Sequence, residues 1–564
     1  MGRPDRTQLE RAPGTPSADR IAWTALAIAA VLSAALILWE SRGNTFFNDE
    51  FAVFQRLGGG FDAETVFEPH NGHLVAFANL LYAIGFETVG PDHAAFRLVG
   101  LLGLLACTLL VFVYLRRRVD PLLALAPALV LLFLGASWEI LLWPFSVATW
   151  GFALAAGVAA LLLLERDDRS GDIGACVFLV AALASHSTGL AFLVGVAVYV
   201  LLRPDRRQRI WVVLVPPALY AAWWLWALKF DHDSPVSAVN AWLIPSFAAD
   251  SLAAVSGAVT GLAAGLSGDS LNPTIQLELG WGRVIGLAVI VALVVRLVRG
   301  NVPRALWATL AILLALWAFL ALGLGPGRTA DQSRYIYPGA VLLFLVAGNA
   351  IAGIRVSRTA VAVVLAVAGL AVLTNVRQLH DGEAFLGDYS ERVRAQLAML
   401  ELGGDQVPPD LDPHADAELA DLVPPQLPIQ AGPYLEAVDR FGAVGFTTAE
   451  VLEQDPPVRE DADRFLARAL GLTLTPSEGP GSGVGECAEL ASGGALELFP
   501  GTVEIVAEDG ATVGLGRFAD SFPVELGEAP PEVPVALAIP ADGSDRPWRL
   551  ALTSGSAAEV CEAG

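Results

Sequence analysis

The chain has 564 residues, of which 54% are hydrophobic and 16% charged, and its mean hydropathy is +0.55. Soluble domains carry about 25% charged residues, and a bilayer-crossing helix takes about 20 apolar residues in succession. Several runs reach that length, which excludes a soluble globular enzyme and overall disorder, and the net charge of −23 argues against nucleic acid as a partner.

The charge divides the chain. Residues 376–564 hold 34 acidic and 10 basic residues, whereas residues 1–375 hold 24 and 25. A neutral membrane body therefore precedes an acidic tail kept soluble by self-repulsion. The expected fold is mostly α: a polytopic body of about 11 transmembrane helices with an extracytoplasmic α+β tail ending in a small β-sandwich. The expected domains are a cytoplasmic N-terminal tail (1–20), a transmembrane domain (21–375), a helical and linker region (376–484) and the sandwich (485–564).

Residues 1–20 are polar and basic (Arg3, Arg6, Arg11, Arg20). The apolar run Ile21–Trp39 is too long for a signal-peptide core and reads as an anchor. Arg clusters follow at 116–118, 166–169, 203–209, 296–304 and 355–358; with the N-terminus they contain 18 of the body's 25 basic residues. Positive residues face the cytoplasm. That rule fits spans near 21–40, 95–115, 121–141, 146–164, 172–185, 187–202, 210–228, 283–298, 305–322, 336–353 and 359–374. An odd number places the N-terminus inside and the tail outside, across the plasma membrane of a bacterium. Two apolar stretches, 72–90 and 246–266, remain. They read as helices at the outer face, with extra spans as the alternative.

In the tail, 376–402 continues the last span as an amphipathic helix, and 403–433 is a linker rich in Pro and Asp. Two helical patterns lie within 434–472, and Ser477–Gly485 is a break. The alternating runs ALELF, TVEIVA, TVGLGRF, VPVALAIP and WRLALT then predict strands. Cys487 and Cys561 bracket this part and form one disulfide if it lies in an oxidising compartment. Cys107 and Cys176 sit in apolar runs as packing residues.

Seven body cations remain on the outer side: Arg42, Arg56, Arg97, Lys229, Arg283, Arg328 and Arg334. The first outer loop carries Asn48-Asp49-Glu50 among Phe46, Phe47 and Phe51. Carboxylates at a span end need a partner or water; they read as a general base facing a wet cavity, or as a hydrated helix start. Next come His70 and His73, spaced to share a helical face and hold phosphate or a metal, without a third ligand nearby in sequence, or else read as polar residues that start a helix at the interface. Arg97 wants an anion, either a ligand or the Asp49–Glu50 pair. Glu139 lies between Trp138 and Trp143, and His186 between two serines as a cavity donor or a plain polar turn. Last, Arg328, Arg334 and Tyr335 converge before a span. Such donors suit a phosphate at headgroup level, or snorkel there as anchors.

In this order the pieces resemble the GT-C superfamily of membrane glycosyltransferases, and within it the protein O-mannosyltransferase and aminoarabinose-transferase branch, over residues 21–205 and more diffusely to 375. The resemblance rests on Asp49-Glu50, on the stretch Gly72–Arg118, on Glu139 and on Ser333-Arg334-Tyr335. It implies a polyprenyl-phosphate sugar donor and transfer with inversion, on the outer face, to an envelope glycan, lipid or protein. It also implies Asp49 as base and Arg97, Arg328 and Arg334 as phosphate ligands. Two departures stand out: the family's second-loop Asp is Glu139 here, and a Lys near the hairpin gives way to the His186 segment.

The chemistry fits independently. A sugar phosphate has a good leaving group, so a base and cations suffice. Adjacent helical residues diverge by about 100°, so Asp49 takes the base role and Glu50 that of orienting partner or acceptor contact. No cofactor is fixed by the sequence, although the His residues and carboxylates leave room for a divalent cation. Two other classes remain: a transporter or flippase for lipid-linked sugars, and a non-catalytic scaffold whose sandwich binds glycan.

Overall fold

The computed structural model describes residues 16–230, 236–263, 271, 277–325, 328–477, 484–555 and 557–563. Arg3, Arg6 and Arg11 of the expected cytoplasmic tail lie outside the described residues, as does most of the expected break at 477–485. The protein is mostly helical, with all named strands after residue 474.

Among the described residues, eight helices are long and apolar enough to cross a membrane, and nine when Pro121–Leu132 and Gly135–Leu142, bent by 47°, count as one broken span. Every expected span position carries a helix. The weights differ from the expected eleven, however. Arg169–Ser185, Thr188–Leu201 and Ser333–Ala350 are not among the eight. Ala238–Thr260, which contains most of the stretch read as a surface helix, is among them and is half-buried. Its weak hydrophobicity comes from Ala, Gly and Ser, and these make a packing seam. A Cβ on Gly282 of the neighbouring helix would lie 2.0 Å from the Ala253 carbonyl oxygen, so the two backbones nearly touch. Close approach through small residues substitutes for greasiness in lipid. Ala76–Val89, at 14 residues, is about 21 Å long and falls short of a bilayer.

The last apolar helix does not stop at the membrane. Arg358–Gly403 runs unbroken for 46 residues, from the apolar run into the acidic tail. It crosses the broken span so tightly that a Cβ on Gly135 would sit 1.8 Å from the Asn375 carbonyl oxygen. The Asn375 side chain ties the crossing together: its amide donates to the Ala258 and Ala371 carbonyls, and its oxygen accepts from Ala136 N–H at 3.1 Å.

Among the described residues the tail then folds as short helices, Ala431–Phe441, Thr448–Leu452 and Pro456–Ala469, and nine strands. The strands are β1 (Thr475–Pro476), β2 (Val484–Leu490), β3 (Ala495–Leu498), β4 (Gly501–Ala507), β5 (Ala511–Gly516), β6 (Val524–Ala529), β7 (Val535–Ile539), β8 (Trp548–Gly555) and β9 (Ala558–Ala563). They form antiparallel sheets ordered β1-β7-β4-β9-β2 and β3-β8-β5-β6. Cys487 pairs with Cys561 across β2 and β9, and the two are disulfide-bonded. The five expected runs match β3, β4, β5, β7 and β8; the two-residue β1 is not among them, nor are β2, β6 and β9, where Gly, Glu and Cys interrupt the apolar alternation.

A buried carboxylate is central to the joint between the sandwich and the last tail helix, with Arg459, Glu460 and Arg464 of the same helix bonding to residues 518–523 beside it. Asp463 is fully buried and accepts from the N–H groups of Arg517, Phe518 and Ala519 at 2.8–3.0 Å. The Arg517 guanidinium meets Asp542 at 2.6 Å beside it. Asp463→Ala should leave three buried donors unpaired and cost about 3 kcal/mol. Limited proteolysis should then release the 484–563 segment faster than in wild type; equal release would show that other contacts hold the sandwich.

Candidate active site

Local sequence explains how each outer segment is aimed. Asp49 opens the helix Asp49–Gly58, where a carboxylate is favoured by the helix dipole. Asn48 precedes it with a positive φ of 48°, a conformation Asn tolerates better than most residues. Glu50 fixes this turn from below. It is fully buried, accepts from Phe47 N–H at 2.8 Å and from the Tyr82 hydroxyl, and lies 3.7 Å from His93 Nε2. Of the two expected roles, Glu50 sits where an orienting partner of the Asp49 turn would; the acceptor-contact role is corrected, because Glu50 does not line the cavity.

His70 and His73 do not share a helical face as expected. They flank a tight hairpin turn, exchanging backbone hydrogen bonds at 3.0 and 2.9 Å, with Asn71 and Gly72 both at positive φ. Asn-Gly is a strong hairpin signal, because both central positions of this turn need positive φ; it was overlooked in favour of the i, i+3 spacing. The turn sets His70 Nε2 2.9 Å from Asp49 Oδ1, and Asn71 donates to the same oxygen at 3.2 Å. His73 Nδ1 lies 2.9 Å from Ser187 Oγ, and the His73 and His186 rings are 4.8 Å apart. His186 in turn receives Thr188 N–H on Nδ1 and packs on Trp150 at 4.1 Å.

On the opposite wall, the Glu139 carboxylate accepts from Arg334 N–H at 2.9 Å and pairs with its guanidinium at 3.6 Å. Ser333 Oγ accepts from Glu139 N–H, locking the two segments together. Glu139 thus aims Arg334 without itself lining the cavity. Arg328 is held by the Gly323 carbonyl at 3.3 Å.

These groups surround one cavity of about 590 Å³. Asp49, His70, His73, His186, Arg328, Arg334 and Tyr335 all line it. Arg97 does not: its guanidinium closes the end of the first helix by donating to the Ser41 carbonyl, so its expected phosphate role is corrected as well. The sequence reading missed Asn71, Ser187 and Trp150. Trp150 lies in a π-helical turn, Val147–Gly151, a feature frequent at functional sites. It also missed an apolar side of the cavity built by Tyr220, Trp224, Phe319 and Leu320.

The electrostatics follow from this packing. Burial disfavours the Asp49 carboxylate, but His70, Arg334 and Asn71 outweigh it and hold the carboxyl below its ordinary value of 3.8. Burial, with His70 and Arg328 nearby, pushes His73 down to about 4. His186 is pushed down in the same direction by burial and its His neighbours. As for a divalent cation, among the described residues no three His, Cys, Asp or Glu ligand atoms cluster around Asp49. The positive charge acting on it comes from His70 and Arg334.

No protein-family model and no curated protein matches the chain. Similar solved structures include ArnT from Cupriavidus metallidurans bound to undecaprenyl phosphate, at 13% identity over 68% of this chain and 81% of that one, with a TM-score of 0.44. The archaeal oligosaccharyltransferase AglB from Archaeoglobus fulgidus, in complex with an inhibitory peptide and a dolichol-phosphate, is 13% identical over 80% and 69%, with a TM-score of 0.45. The oligosaccharyltransferase of the same organism in its apo form is 12% identical over 81% and 69%, with a TM-score of 0.40.

Two outcomes separate support from exposure in this site. Glu50→Ala strands the Phe47 N–H and the Tyr82 hydroxyl and should destabilise the fold by about 2–4 kcal/mol, whereas Asp49→Asn should stay within about 1 kcal/mol of wild type. Thermal unfolding of both variants checks this, and equal losses would contradict it. Separately, the unfolded chain protonates His73 near pH 6.5, and the native state does so only near pH 4. Stability should therefore fall as pH drops through that window. His73→Gln should flatten part of that slope, and an unchanged slope would exclude His73 as its source.

Proposed function

We propose that this multi-pass membrane protein is a glycosyltransferase that moves a sugar from a polyprenyl-phosphate donor to a hydroxyl of an envelope glycan, lipid or protein. The observation that carries this reading is the arrangement of Asp49. One oxygen, Oδ1, takes both His70 and Asn71, while Oδ2 has no hydrogen-bond partner among the described residues, and the residue lines a cavity that also holds Arg328 and Arg334. The sequence resemblance to the GT-C superfamily supports the same reading.

In this reading the acceptor oxygen attacks the anomeric carbon from the face opposite the phosphate. The carbon–oxygen bond to phosphate breaks, the electron pair leaves with the polyprenyl phosphate, and the configuration inverts. Asp49 Oδ2 takes the acceptor proton as the new bond forms. Arg328 and Arg334 stabilise the charge growing on the phosphate, where donors in a desolvated cavity act most strongly. Tyr220, Trp224, Phe319 and Leu320 give the polyprenyl chain an apolar exit. The cavity and the tail then face the extracytoplasmic side of a bacterial plasma membrane, the N-terminus faces the cytoplasm, and the sandwich (485–564) stands outside the transmembrane domain (21–375) as a folded module.

The test is sugar transfer in membranes carrying wild type or Asp49→Asn at matched expression, offered labelled polyprenyl-phosphate sugars. Loss of a positioned base should lower the rate by about 10²–10⁴-fold. With the Asp49 carboxyl held below its ordinary value, its base form persists at every pH above about 4. The wild-type rate should show no acid limb from Asp49 above that pH. Equal transfer by both proteins would remove Asp49 from the chemistry.

A further inference from the structure

A second group of potential ligands lies outside the cavity, where the first apolar helix meets the last. Glu40 ends the helix Pro16–Glu40, and His380 and Glu383 lie one turn apart on the helix Arg358–Gly403. His380 Nδ1 is 3.3 Å from Glu40 Oε2 and 3.7 Å from Glu383 Oε2, and the three ligand atoms all fall within 4.8 Å of one another. The 3.3 Å contact is a long hydrogen bond and the 3.7 Å contact is beyond hydrogen-bond reach, whereas charge-assisted hydrogen bonds favour about 2.7–2.9 Å. The two separations match the spacing of ligands sharing an ion: two ligands about 2.0–2.1 Å from a tetrahedral zinc stand about 3.4 Å apart.

The surroundings point the same way. The Glu40 and Glu383 side chains are only 14% and 26% exposed, while His380 is 68% exposed. Two half-buried carboxylates therefore face one imidazole, and among the described residues no Lys or Arg bridges them. The nearby cation, Arg42, acts on Glu383 through its charge but makes no ion pair with either carboxylate. It donates to the Trp39 carbonyl at 2.7 Å and lies over the Trp39 ring at 4.1 Å. Like charges held together at the edge of a membrane are costly unless a cation joins them. The other mixed group among the described residues, Cys487 and Cys561 with Glu559, is closed by its disulfide.

We propose that Glu40, His380 and Glu383 form a binding site for a divalent transition ion of the zinc or manganese type, with His380's exposed side leaving coordination positions to water. The ion ties the outer end of the first apolar helix to the last one, nine residues before Asp49. This site is separate from the sugar-transfer reading and stands or falls without it.

Purified full-length protein, stripped with chelator, is titrated with Zn²⁺ alone and with Mn²⁺ alone by calorimetry, and its melting temperature is followed with and without each ion. One ion per chain is expected to bind wild type and raise its melting temperature. Removing even an outer-shell partner costs about 10–100-fold in metal affinity, so loss of a ligand in His380→Ala or Glu383→Gln should weaken binding at least that much and abolish the melting shift. Because His380 is exposed, the metal-free variants should melt like wild type. Equal binding by wild type and both variants, or no binding of either ion at millimolar concentration, would overturn the proposal.

Discussion

The buried Glu50 carboxylate is the constraint on which the cavity depends. A carboxylate wholly removed from water is tolerated only when donors surround it, and here the Phe47 N–H and the Tyr82 hydroxyl come from two different segments. Satisfying Glu50 therefore forces the loop after the first apolar helix onto the Ala76–Val89 helix and holds Asn48 at positive φ. Asp49 emerges on the other side of that turn, toward the cavity. The two neighbouring acids divide the work because helical geometry points them apart.

The same economy recurs around the cavity. Glu139 aims Arg334, and the Asn71-Gly72 turn aims His70. Thr188 N–H fixes His186 by occupying its Nδ1. Asp49 and His73, by contrast, are held by other lining groups, His70, Asn71 and Ser187. Within a membrane body such pairing is obligatory, since lipid offers no alternative partners.

Much of this was legible in the chain. Hydropathy and the Arg clusters point to a helix at each expected span position, though not to the Asp49–Gly58 and Ala63–Phe67 helices, and the polar residues between spans include seven of the cavity's lining side chains, Asp49 and Arg334 among them. What failed shares a cause. Arg97 carries the right chemistry, but a backbone partner, which no spacing rule reports, absorbs it. The His pair was assigned by helical spacing although Asn-Gly between them demanded a turn. The Ala238–Thr260 helix looked too weakly apolar because composition does not reveal that its small residues pack against a partner helix. Tyr220, Trp224 and Phe319 come from distant spans, and only the packing of helices brings them to one wall.

The tail also leans on the back of the Asp49 helix. The helix Ala431–Phe441 packs against it, Gln55 exchanges hydrogen bonds with Pro428 and Gln430, and Arg440 reaches the Leu57 carbonyl. These partners are separated by more than 370 residues along the chain. During synthesis, Asp49 therefore leaves the ribosome long before its buttress exists. Contacts so remote in sequence close late and slowly. A nascent or truncated chain ending before residue 428 carries every cavity residue but lacks the brace behind the first of them, so maturation of the cavity waits on translation of the tail.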